Sequence, residues 1–162
     1  MFLTLDGDLV DYHRGEEDLR RRRIRFVGQP RHRLREDHQR ILRYFRFRAQ
    51  LAPATTPRDD ADDEMPSDRA ATLAVLRDEG PGLKRVSGMR IWPEFKKILA
   101  NRRAGEEIKT MWELDLLRYC GLPEAISEER IDDFARKFCC SFDLQPQPVA
   151  VLSPLFNTKA EV

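Results

Sequence analysis

Leu34, His38, Ile41 and Phe45 recur at intervals of four, three and four residues, the period at which an α-helix returns to the same face. A strand would bury alternate residues instead. The segment 33–47 therefore reads as one amphipathic helix, and the spacing extends the prediction from Pro30, a good first helical residue, to about Leu51. Its remaining positions are crowded with Arg33, Arg35, Arg40, Arg43 and Arg46. On a neighbouring face Asp37, Arg40 and Tyr44 follow at i, i+3 and i+7. A carboxylate and a guanidinium one turn apart can act together on a planar base: Asp37 accepts from an exocyclic amino group, and Arg40 donates to the ring acceptors. Cytosine and adenine present that amino-plus-acceptor edge. Uracil and guanine place a carbonyl where the carboxylate needs a donor, at a cost of roughly 1–3 kcal/mol. The same spacing also suits an ordinary ion pair on a solvated face, which contributes only about 0.2–0.5 kcal/mol.

The rest of the chain divides by its turn residues. Residues 1–5 and 9–12 flank Asp6-Gly7-Asp8 and read as a hairpin. Residues 16–22 suit one or two helical turns, and residues 24–27 suit a third short strand closed by Gly28. Residues 52–67 mix prolines, threonines and acids, the pattern of an exposed, mobile loop. Beyond it the periodicity is helical: 68–79 up to Gly80-Pro81-Gly82, then 90–102 with Pro93 best placed in a first turn. A further helix over 106–120 should bury Ile108, Met111, Trp112, Leu116 and Tyr119. The next, with Ser127 as N-cap, should turn Ile131, Phe134, Ala135 and Phe138 inward. Residues 149–156 begin a last one.

Net charge is only +1, yet 35% of the 162 residues are charged and unevenly placed. Arginines crowd positions 14–48, and residues 58–64 are acidic, so the basic front fits a phosphate-bearing partner, nucleotide or RNA. Cys120, Cys139 and Cys140 are odd in number and lack CxxC spacing. With His13, His32 and His38 as the three histidines, a zinc site is not expected, and free thiols in a reducing, intracellular compartment are. No apolar run has the length of a membrane span, and no targeting peptide opens at Met1. Mitochondrial, cytoplasmic and nuclear placement stay open.

The run Glu36-Asp37-x-x-Arg40-x-x-Arg43-x-x-Arg46-Phe47 resembles the nucleotide-selecting motif of the class II tRNA nucleotidyltransferases, the CCA-adding enzymes. Residues 11–19 with 24–28 resemble the preceding motif, which joins head and neck, and residues 87–99 resemble the last one. Bacterial-type poly(A) polymerases share these motifs. The resemblance implies an α+β, mainly α fold, in which a remnant of a polymerase-beta-like head sheet, two to three short strands, precedes helices. Residues 1–28 would be the end of the head. Residues 29–104 would be the nucleotide-selecting, RNA-binding neck, with its mobile loop at 52–67, and 105–162 the start of the body.

By the same resemblance Asp37 and Arg40 would pair with the Watson–Crick edge of CTP or ATP, and Arg43 and Arg46 would meet ribose and phosphates. Glu36 would support them, and Arg90 and Glu94 would form a helix-stabilising pair. Met89 stands where the family usually has glutamate. The family's Gly-Ser loop and the Asp-x-Asp that holds two magnesium ions lie upstream of the residue matching Met1. Asp6-Gly7-Asp8 has the spelling of that metal motif but a turn's glycine, so neither catalytic residues nor metal ligands are expected here, and Mg2+ belongs to the full-length enzyme. The expectation is a fragment of an enzyme that adds CCA to tRNA 3′ ends, inactive by itself, with tRNA, CTP and ATP as partners. A non-catalytic helical RNA-binding module and a poly(A) polymerase are the alternatives.

Overall fold

Gly7, at φ 92°, reverses the chain between β1 (Phe2–Leu3) and β2 (Leu9–Val10), which pair antiparallel with Phe2 opposite Val10. The Thr4 hydroxyl accepts the Asp8 N–H at 2.9 Å, and the Thr4 N–H donates to the Asp8 carbonyl at 2.9 Å. This is the expected hairpin, with shorter strands. The computed structural model describes residues 1–51, 66–141 and 147–156. The loop expected at 52–67 lies outside the described residues, except that Pro66 and Ser67 already belong to a helix.

After α1 (Gly15–Arg20) the chain does not form the third strand expected at 24–27. No described strand lies beside those residues to complete a ladder. Side chains hold them instead: Asp18 accepts from Arg23 Nε at 2.8 Å and from Arg25 Nε at 2.6 Å. Ile24 and Phe26 then rest on the helical core.

The long helix expected from Pro30 to Leu51 is two. α2 (Pro30–Glu36) stops at Asp37, whose φ of −157° and ψ of 105° are extended, and α3 (Arg40–Leu51) starts three residues later. The helical core continues with α4 (Pro66–Glu79), a 3-10 segment (Gly80–Arg85) and α5 (Gly88–Leu99). Pro93 sits inside α5, beyond its first turn. α6 (Ala104–Glu113) ends before the expected Cys120, because Asp115 takes a φ of 59° and breaks it from a 3-10 turn at Leu117–Cys120. α7 (Glu128–Ser141) and α8 (Pro148–Leu152) follow.

α3 packs on α5, α6 on α7, and α2 on α4. Leu34, Ile41 and Phe45 are fully buried, as their spacing predicts, in one cluster with Phe95, Ile98, Ile108, Met111 and Ile131. Residues from 29–104 and from 105–162 share that cluster. A Cβ on Gly105 would lie 2.7 Å from the Ala135 carbonyl oxygen, so glycine lets α6 and α7 cross in backbone contact. No described helix is long and apolar enough to cross a membrane. The molecule is mainly helical, with a small antiparallel hairpin at its front.

Candidate functional site

Asp37 creates the junction between α2 and α3. Its Oδ1 accepts the Gln39 N–H at 3.1 Å, and its carbonyl accepts the Arg40 N–H at 3.1 Å. That local bonding gives the backbone an alternative to continuing the helix. His38 then tucks in beside the Gly80–Arg85 segment, where a Cβ on Gly82 would fall 1.9 Å from its ring.

The Asp37 carboxylate is held from a distance. Arg90, near the start of α5, donates Nη2 to Oδ2 at 2.9 Å and to Oδ1 at 3.1 Å. The same nitrogen reaches Gln39 Oε1 at 2.7 Å, and Gln39 Nε2 donates back to the Arg90 carbonyl at 3.0 Å. Of the roughly four lone-pair positions on a carboxylate, these bonds leave Oδ2 with one open among the described residues. Arg90 and Glu94 thus do not form the pair expected of them, but reach across to the α2–α3 unit separately. Glu94 is buried and accepts from Arg46 Nη1 at 2.7 Å and from Lys97 at 3.2 Å.

Arg40 turns the other way. Its Nη1 donates to the Arg33 carbonyl and to Glu36 Oε2, each at 2.6 Å. The hydrogen bond from Arg40, with Arg33 adding a second, holds the Glu36 carboxyl below its ordinary range. Arg40 Nε and Nη2 meet no acceptor among the described residues. Together with Arg33, Arg43, Phe26, Tyr44 and Phe47, Arg40 lines a cleft of about 330 Å³, within the size range of small-molecule sites. Phe26 stacks on Tyr44, ring centroids 5.8 Å apart and nearly parallel. Arg43 is exposed and pairs with no carboxylate among the described residues.

Of the residues singled out in the sequence, Arg40, Arg43 and Tyr44 meet in this cleft, and Asp37 stands at the same junction, held toward α5. Arg46 does not line it: its guanidinium lies 4.4 Å over the Phe47 ring and is engaged by Glu94. The structure adds Arg33, Phe26 and Phe47, and Gln39 behind Asp37. Arg33 was one of the arginines crowding that segment of the sequence. Phe26 was hidden inside an apparent strand. A second buried pair, Arg48 with Glu107 at 3.3 Å, fixes α3 to α6. Among the described residues, no three acid, histidine or cysteine side chains converge as a metal site would require.

Comparison with known proteins bears on the whole chain. Residues 69–129 match a family model described as "Probable RNA and SrmB- binding site of polymerase A". All 162 residues align at 38% identity with "CCA tRNA nucleotidyltransferase 1, mitochondrial" of Danio rerio, covering 35% of that protein. The protein of the same name from Homo sapiens is 38% identical over the same 162 residues, 34% of its length. A "CCA-adding enzyme" of Leuconostoc citreum is 34% identical over 157 residues, 97% of this chain and 34% of the relative. The chain thus spans about a third of the length of these relatives.

Proposed function

Because the chain belongs to the CCA-adding enzyme family, we propose that its α2–α3 junction selects the incoming nucleotide when CTP and ATP are added to a tRNA 3′ end. The observation that carries this reading is the cleft that gathers Arg33, Arg40 and Arg43 against Phe26, Tyr44 and Phe47. Cations meet a nucleotide's phosphates while aromatic rings pack against base or ribose, which is the chemistry such a ligand needs.

Asp37 supplies the discrimination. Its remaining Oδ2 lone pair accepts an exocyclic N–H of cytosine or adenine, and Arg40 donates to the neighbouring ring acceptor once its side chain swings from Glu36 toward Asp37. Arg90 and Gln39 keep the carboxylate from turning away. Arg43, which pairs with no carboxylate among the described residues, takes the phosphates. Arg46 acts at one remove, through Glu94, by holding α3 on α5. The reading includes tRNA as the RNA partner. It also includes the mitochondrion as one place of action, as the names of the first two relatives suggest. The family's phosphoryl transfer implies Mg2+, and the described residues do not fit it: no acid cluster converges, and Asp6 and Asp8 flank an exposed turn. No transfer step is therefore assigned to the described residues.

Equilibrium binding of CTP, ATP, UTP and GTP tests the proposal. CTP and ATP should bind about tenfold more tightly than UTP and GTP. Asp37→Ala or Arg40→Ala should collapse that ratio, Asp37→Ala with a further loss of about 1 kcal/mol in stability for its bond to the Gln39 N–H, whereas Arg43→Ala should weaken all four nucleotides alike. Preference for ATP alone would favour the poly(A) polymerase alternative. Equal binding of all four by the parent chain would overturn the reading.

A further inference from the structure

A second cleft, of about 490 Å³, opens between the N-terminal turns of α5 and the 3-10 turn at Leu117–Cys120. Lys84, Trp92, Arg118, Tyr119 and Glu124 line it, and every lining residue falls inside the 69–129 match. Its chemistry is not that of a reaction centre. The Cys120 thiol is pushed up to about 12 by burial and donates to the Leu116 carbonyl at 3.6 Å, so it is no nucleophile near neutral pH.

What the cleft offers is a flat apolar surface beside positive charge. Trp92 is 37% exposed although it stands next to the core residue Phe95. Lys84 Nζ and Arg118 Cζ lie 5.6 and 4.9 Å from the Tyr119 ring centroid. Arg118 is already engaged by Asp115 at 2.7 Å and by the Tyr119 hydroxyl at 2.9 Å. Lys84 is exposed and pairs with no carboxylate among the described residues. An exposed indole in one cleft with an ammonium that no described carboxylate neutralises suits a base with its own phosphate, since every base has a face to stack and a charge one ribose away. A base inside a duplex has no such face to give.

We propose that this cleft takes one unpaired nucleotide of the RNA partner, the base against Trp92 and the phosphate at Lys84. The inference rests on the reading above for its RNA partner, but not on the α2–α3 cleft. Binding of a fluorescent single-stranded oligocytidylate, and of the same strand annealed to its complement, tests it on the whole chain. Trp92→Ala should weaken the single strand about fivefold or more and leave duplex binding unchanged. Lys84→Ala should lower the slope of log affinity against log salt by about 0.7, a change that a purely structural lysine would not produce. CTP affinity should be untouched in both variants. Both residues are exposed or partly so, and matched thermal unfolding of the variants separates site effects from misfolding.

Unchanged single-strand affinity in Trp92→Ala and an unchanged salt slope in Lys84→Ala would overturn the inference and leave the cleft to a protein partner. If the Trp92 and Lys84 effects appear while the parent chain fails to discriminate among nucleotides, the nucleotide-selecting reading falls and this one stands.

Discussion

Asp37 carries three duties on one carboxyl group and one carbonyl. It ends α2, opens α3 through the bonds to Gln39 and Arg40, and in the proposed reading offers its remaining lone pair to the base. Arg90 makes the third duty possible, because a carboxylate with a single local bond could rotate away. Arg90 is half exposed, so its pairing with Asp37 contributes at most about 1 kcal/mol to stability. Arg90→Ala should therefore scarcely move thermal unfolding, yet should lower the CTP-to-UTP affinity ratio part of the way toward the Asp37→Ala value. Arg90→Lys should fall between, since an ammonium contacts the carboxylate without a guanidinium's planar fork. The four-nucleotide binding measurement checks both variants. An unchanged ratio in Arg90→Ala would mean that its bond orients nothing.

At the level of elements, the burial period was legible and the break was not. Leu34, Ile41 and Phe45 are buried as their spacing predicts, because α2 and α3 turn the same side to the core. Asp37 could have been read as a capping residue, but an acid on a helix's polar face looks the same in sequence. The cleft was less legible still. Its second wall, residues 24–27, resembles a strand in composition and is placed by ion pairs to Asp18, and the Arg90–Asp37 contact joins positions 53 apart in sequence. Charge partners at such separation leave no periodic trace.

That wall makes a pH prediction. Burial pushes the Asp18 carboxyl up, but the hydrogen bonds and charges of Arg25 and Arg23 outweigh it, and the net shift is below the ordinary 3.8. A carboxyl lowered in the folded state contributes stability that is fully present above its unfolded value and lost as pH falls through the folded one. The wall should hold above about pH 4 and loosen below. Asp18→Asn should produce the loosening at neutral pH, seen as faster amide exchange at 24–27 and weaker binding of all four nucleotides. Protection unaltered in Asp18→Asn would show that Phe26 packing alone holds the segment.

Across the molecule, α3 is the common support. Arg46 ties it to α5 through Glu94, and Arg48 ties it to α6 through Glu107, both carboxylates being buried. Burial raises the Glu107 carboxyl above its ordinary 4.5 even though Arg48, Arg69 and Arg103 pull it down. A buried ion pair of this kind orders the helices more than it strengthens them. Removing one member is the damaging change, because Arg48 Nε loses the Glu107 oxygens it donates to while staying buried. Glu107→Ala should cost about 3–5 kcal/mol in urea unfolding, whereas Arg48→Met with Glu107→Leu should recover most of that loss or exceed the parent. The doubly substituted chain should also keep its preference for CTP and ATP, since neither residue lines the α2–α3 cleft. A double variant as unstable as Glu107→Ala alone would show that the charges themselves, and not the space they fill, hold α3 against α6.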